Sequence, residues 1–212
     1  MENHTKDAFD EENEGYIKID RYNATKTDLI SSHYADILNQ LGEDPEREGL
    51  LKTPERVAKS LQYLTHGYDL KPAEILRSAM FKEDYSQMVV VKDIEVYSMC
   101  EHHMLPFFGK AHVAYISSGK VIGLSKLNRI VQHFAKRPQV QERLTMQIAD
   151  ELKRALQTED VAVIIDAAHL CVSTRGVNDT ASSTLTAAYS GKFDEEATRQ
   201  EFLKYVGMKP TM

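Results

Sequence analysis

Two short islands, Cys100-Glu101-His102-His103 and His169-Leu170-Cys171, hold both cysteines and three of the eight histidines of the chain. Thiolate and imidazole are the donors that a borderline-soft ion such as Zn²⁺ takes in tetrahedral geometry, and a C-x-x-H step lets one turn supply two of them. Cys100 and His103 fit that step, His103 being better spaced than His102, and Cys171 adds a third donor. A structural zinc site closes its sphere with four protein ligands. No third cysteine exists here, so three ligands and one open coordination position are expected. An open position implies Lewis-acid hydrolytic chemistry. Two isolated thiols are ordinarily small buried hydrophobes, but the flanking histidines weigh against that reading.

Hydrolysis at a metal needs proton traffic, and His102 and His169 adjoin the islands as the candidate acid and base. Glu101 has two readings, orienting a histidine or facing solvent. Glu142, in Gln141-Glu142-Arg143, carries a carboxylate able to accept from the N–H edge of a purine, although an isolated helical Glu is most often a solvated charge. Ser125, Lys126, Arg129 and Arg175 suit phosphate, because cations and helix-start amides bind oxyanions; surface bases of this kind are also common. No G-x-x-x-x-G-K-[ST] stretch is present, so a polyphosphate would be held without a P-loop. His112, on an alternating strand, and His133, on a helix, read as structural.

The elements that carry these residues belong to a chain of 212 residues, long enough for a sizeable core. Its hydrophobic content of 42% and charged content of 27% are ordinary for a soluble globular protein. A net charge of -6 argues against a general nucleic-acid partner, so an anionic substrate needs a local basic pocket. The acidic, polar start has no apolar signal core and no run of about eighteen apolar residues exists, which predicts a cytoplasmic protein without a membrane partner.

Three regions are expected: a polar arm over 1–27, a helical region over 28–80, and a catalytic domain over 81–212 closed by a last helix. Apolar residues from Leu29 to Leu41 recur at helical spacing, with Asp28 as the expected cap. Thr53-Pro54-Glu55 opens a second helix and Pro72 a short third. The period then changes. Met88–Val91 and Ile94–Tyr97 read as strands, and Lys110–Ile116 runs into a Ser-Ser-Gly-Lys turn expected to return as a hairpin through Leu124. Ser125 is the expected cap of a helix that Arg137-Pro138 ends, and a longer helix follows with Val140, Leu144, Ile148, Leu152 and Leu156 on one stripe. Strands at 161–165 and 183–189 bracket the second island, and a helix opens near Asp194. The order β-β-α-α-β-β predicts an α+β fold of antiparallel strands with helices on one face.

These residues resemble the GTP cyclohydrolase I family from about residue 37 to 206. The resemblance rests on five ordered stretches: Leu41–Pro45 through Glu48–Ala58, Ser98–Phe107, Ile122–Arg129, Arg137–Leu144, and His169-Leu170-Cys171 with Arg175-Gly176-Val177. It implies zinc on Cys100, His103 and Cys171, and an acid/base pair of His102 and His169. It also implies that Glu142 grips the guanine edge with Gln141 lining the pocket, and that Ser125, Lys126, Arg129 and Arg175 hold triphosphate and ribose. The implied reaction opens the imidazole ring of GTP to give 7,8-dihydroneopterin triphosphate and formate, the first step of tetrahydrofolate and pterin synthesis. The implied fold is the tunnelling fold, whose sheets join between subunits into a barrel; the implied partner is the chain itself, as a homodecamer of two stacked pentamers with sites at subunit boundaries. The chain departs from the family pattern at Asn178-Asp179, after Arg-Gly-Val, and in Ser182–Thr186, which weakens the expectation of phosphate contacts from that loop.

A zinc nucleobase deaminase is the rival enzyme class, but Cys171 lacks the partner cysteine of a P-C-x-x-C step. A catalytically silent GTP-binding relative would release no formate, and a zinc-stapled interaction module would want a fourth ligand.

Overall fold

The computed structural model describes residues 22–69, 71–77 and 79–209. Of the expected polar arm, residues 1–21 lie outside the described residues. The chain divides into two compact units, residues 1–63 and 64–212.

In the first unit α1 (Ala24–Gln40) starts five residues earlier than its apolar pattern, because Asn23 and not Asp28 is the cap: its side chain accepts from the Lys26 N–H at 2.9 Å. The first turn is polar and therefore carries no periodic signal. The following helix, α2 (Thr53–Thr65), begins where the Thr-Pro-Glu signal expects it, with Glu55 and Lys59 paired at 2.5 Å one turn apart. Gln62 joins the two helices, donating to Thr27 Oγ1 at 2.8 Å and accepting from the Asn23 N–H at 3.0 Å.

The second unit begins at Leu64, carries α3 (Pro72–Arg77) and β1 (Met80–Lys82), and is built on a five-stranded sheet whose strands lie in the order 138–139, 88–100, 106–116, 161–169 and 184–189. The long hairpin of β2 (Met88–Cys100) and β3 (Pro106–Ile116) is followed by β4 (Lys120–Ile122), α4 (Leu124–Ala135), β5 (Pro138–Gln139) and α5 (Gln141–Leu156). Then come β6 (Val161–His169), the single turn α6 (Leu170–Ser173), β7 (Thr184–Tyr189) and α7 (Glu196–Gly207). The predicted β-β-α-α-β-β order is present.

Four expectations change. The two short strands expected over 88–97 are one strand carrying a bulge between Val91 and Ile94, with Asp93 at φ 60°. The His112 ring accepts the Asp93 N–H through Nδ1 at 3.2 Å, which gives this histidine its structural role. The segment β4 does not fold back on β3; it pairs with β1, and Tyr115 Oη accepts the Ile122 N–H at 3.1 Å to tie them to β3. Ser125 caps nothing, since Gly123 is the residue before α4. The sheet is not wholly antiparallel: Pro138 and Gln139 lie parallel to Met99 and Cys100, too short a contact to leave a period in the sequence.

One face of the sheet packs Val96, Phe107, Val113, Val163 and Ile165 against Leu127, Ile130 and Val131 of α4 and Leu144, Ile148 and Leu152 of α5. The other face is not bare at its far end, where Ala114, Ile116, Ala162 and Ile164 meet Phe193, in the short helical turn before α7, and Phe202 of α7. Helices on one face only was therefore too simple. The two helices α4 and α5 hold the end of the sheet where β2 stops and β6 stops, and both islands sit there.

Candidate metal centre and active site

Antiparallel pairing brings the islands together. The hairpin puts Cys100 at the end of β2, and its turn is closed by the Cys100 N–H donating to Leu105 O and the Met104 N–H donating to Cys100 O, both at 2.8 Å. Met104 takes a φ of 54° to complete the reversal. On the neighbouring strand Phe107 pairs with His169, so the chain leaving β6 into α6 delivers Cys171 beside that turn.

The donor atoms of Cys100, His103 and Cys171 all lie within 4.8 Å of one another, and Cys100 Sγ is 3.8 Å from His103 Nδ1. With metal–sulfur bonds of about 2.3 Å and metal–nitrogen bonds of about 2.0 Å, a tetrahedron has edges of roughly 3.6 Å, so this donor set fits a zinc-sized ion. Among the described residues the group has three members and no fourth. Burial, together with the adjacent Cys100 sulfur, pushes the Cys171 thiol up.

Around the donors the structure gathers some of the expected residues. His169 stacks on the fully buried Phe107, ring centroids 4.6 Å apart and planes 9° from parallel. Burial holds its imidazole below the usual histidine range, opposed by the charge of Glu142. Gln141 is buried, and its Oε1 lies 2.7 Å from His169 Nε2. His102 is exposed, with Nε2 at 3.9 Å from Glu101 Oε1 and its ring edge-on to His103. Arg175 acts on Cys171 through its charge, favouring the thiolate.

Ser125, Lys126 and Arg129 form a separate group on the first turns of α4, where burial and the charge of Arg129 hold the Lys126 ammonium down. Among the described residues no hydrogen bond or ion pair joins this group to the metal donors. Two participants escaped the sequence reading: Arg143, which grips Glu101, and Phe107, which supports His169. Phe107 follows the first island and Arg143 follows Glu142, but neither residue type carries a signal of its own in the sequence.

An α+β protein with three protein donors converging on one metal position, and a histidine and a carboxylate beside them, has the make-up of a catalytic metal site. A profile of the GTP cyclohydrolase I family matches residues 30–207. The GTP cyclohydrolase 1 of Porphyromonas gingivalis is 57% identical over 180 residues, covering 85% of this chain and 93% of that protein. That of Chlorobaculum tepidum is 57% identical over 182 residues, 85% of this chain and 80% of the relative. For Bacteroides fragilis the figures are 53% over 177 residues, 84% and 91%. The chain belongs to the GTP cyclohydrolase I family and has its tunnelling fold. No described helix is long and apolar enough to cross a membrane.

Proposed function

We propose that this chain hydrolyses GTP to 7,8-dihydroneopterin triphosphate and formate in the cytoplasm, with Zn²⁺ on Cys100, His103 and Cys171. The observation that carries this reading is the convergence of those three donors, from the end of β2, the turn after it and α6, beside His169, whose imidazole feels the charge of Glu142. Zinc bound there supplies a Lewis acid that makes a nucleophile of water near neutral pH.

The protein's own residues bind, orient and move protons. The Glu142 carboxylate accepts from the N1–H and amino group of guanine, which turns the imidazole edge toward the metal donors. Lys126, Arg129 and Arg175 pair with the triphosphate, and Ser125 adds a hydroxyl contact. His169 protonates N7 as water adds at C8, so the ring opens to a formamide, and a second water at the same carbon releases formate. His102 serves the sugar steps, in which the opened ribose rearranges and condenses with the freed amine, losing water.

Among the described residues no hydrogen bond or ion pair joins the α4 cations to the metal donors, and Tyr97, Phe108, Val177 and Leu185 are large exposed apolar residues of the sheet and its connecting loop. Both observations fit assembly in which a neighbouring subunit completes the site; the barrel of joined sheets and the decamer of two stacked pentamers follow from the family resemblance. Within each subunit, a helical region beginning at Ala24 would precede a catalytic domain over 81–212.

The test is incubation of the zinc-loaded protein with GTP. Stoichiometric formate and, after oxidation, a fluorescent neopterin are expected; ammonia instead of formate, or neither, refutes the reading.

A further inference from the structure

Gln141 begins α5 with only 2% of its surface exposed, and its carboxamide reaches two strands. Nε2 lies 3.0 Å from Ile165 O on β6, and 2.8 Å from Thr184 O and 3.1 Å from Thr186 Oγ1 on β7. Carbonyl oxygens only accept, so the nitrogen end of the amide must face them. The hydroxyls are equally determined. Thr145 Oγ1 is 2.9 Å from Gln141 O, an acceptor, so its proton goes there. In the 2.7 Å contact between Thr145 and Thr186 the donor is therefore Thr186, whose oxygen is left to accept from Gln141. Two amide hydrogens meet three acceptors, and Gln141 has no spare donor for a base.

What remains is Oε1, 2.7 Å from His169 Nε2. An amide oxygen cannot donate, so Nε2 must carry the hydrogen. The ring is held against Phe107 at 4.6 Å, and among the described residues its Nδ1 makes no hydrogen bond.

We propose that Gln141 is a positioning residue: its Oε1 holds His169 in the tautomer with hydrogen on Nε2 and fixes the ring so that Nδ1 is the nitrogen left to face the substrate. This rests on the reaction proposed above and replaces the pocket-lining role that the family resemblance implies for Gln141. The polarity of the network, from β6 and β7 through the carboxamide to the ring, is what a direct contact with guanine would break.

Two measurements test it. Solid-state ¹⁵N–¹³C spectra of the sedimented, zinc-loaded full-length protein, labelled at histidine, assign His169 by the signal missing from His169→Gln. Wild-type protein should show the proton on the nitrogen coupled to Cδ2, which is Nε2; a proton on Nδ1 with Nε2 bare overturns the proposal. Gln141→Ala should mix the tautomers and lower kcat by about 10- to 100-fold, with KM for GTP within about threefold and zinc content unchanged. A raised KM with kcat kept marks a direct base contact and overturns it. If Gln141→Ala fails to fold, Thr186→Val removes one acceptor while preserving strand shape, and should lower kcat in the same direction without moving KM. The spectra need no turnover. Protein that fails to release formate but shows the Nε2 proton would sink the proposed reaction and leave the tautomer standing.

Discussion

Glu101 and Arg143 form a two-pronged ion pair between the turn after β2 that carries His103 and the first turn of α5, one prong measuring 3.0 Å from Nη2 to Oε1. The guanidinium holds the Glu101 carboxyl below the usual carboxylate range. Because Glu142 adjoins Arg143, the pair sets the distance between the donors His103 and Cys100 and the carboxylate proposed to read guanine. Arg143→Met should weaken zinc binding by about tenfold, the lower end for residues that orient metal ligands, with little change in melting temperature since the pair is solvent-facing. Competition with a chromogenic chelator measures the affinity; unchanged zinc binding together with unchanged KM would remove the latch from the account.

Removing a donor and removing a proton carrier should separate cleanly. Cys171→Ala leaves two donors and should lose zinc and all GTP turnover. His102→Ala leaves Cys100, His103 and Cys171 intact, and should keep zinc and open the guanine ring without completing the pterin. Zinc content and trapped formamide are measured on the same samples. Full pterin formation by metal-free Cys171→Ala protein would refute the mechanism.

The grouping of Cys100, His103 and Cys171 was legible because its chemistry is rare: two thiols and a short C-x-x-H step leave few alternatives. The helices α2, α4 and α5 were legible from their apolar period. Elements that depend on pairing were not. A two-residue parallel strand such as Pro138–Gln139 has no period, and β4 reads as the return arm of a hairpin until β1 is found beside it. The part played by Gln141 was hidden for the same reason, since its partners on β6 and β7 are 24 to 45 residues away. Roles made by long-range hydrogen bonds leave no local mark.

Gly109 allows the close approach of β3 to β6 that aligns the two islands. A Cβ there would stand 1.9 Å from Asp166 O and 2.6 Å from Ala167 Cα, both backbone atoms with no freedom to move away. Gly109→Ala should therefore part the strands and cost roughly 3 kcal/mol or more, the upper range for overpacking. Since Phe107 and His169 pair two steps along the same ladder, zinc retention should fall with it. Denaturant unfolding at fixed subunit concentration reports the first and chelator competition the second. A variant as stable as the wild type would show that the sheet yields there.

His133 sets a pH dependence of the fold that is independent of the metal site. It is fully buried, and its Nε2 lies 2.5 Å from Arg137 Nη2, which can only donate, so the ring is neutral with its hydrogen on Nδ1, which has no partner among the described residues. Burial first, then the charges of Arg137 and His66, lower its pKa from 6.5 to about 4. The sign follows. Below pH 6.5 the unfolded chain takes up a proton that the native ring refuses until about pH 4, so the stability contribution is complete above the first value and is lost as pH falls toward the second. Between about pH 7.5 and about pH 5 the loss is roughly 2 kcal/mol. His133→Gln, which stays neutral, should be less stable near neutrality yet show a flatter dependence by about that amount in urea unfolding. Parallel curves for the two proteins would mean that His133 is protonated in the native state, and the buried Arg137 contact would then need another donor–acceptor assignment.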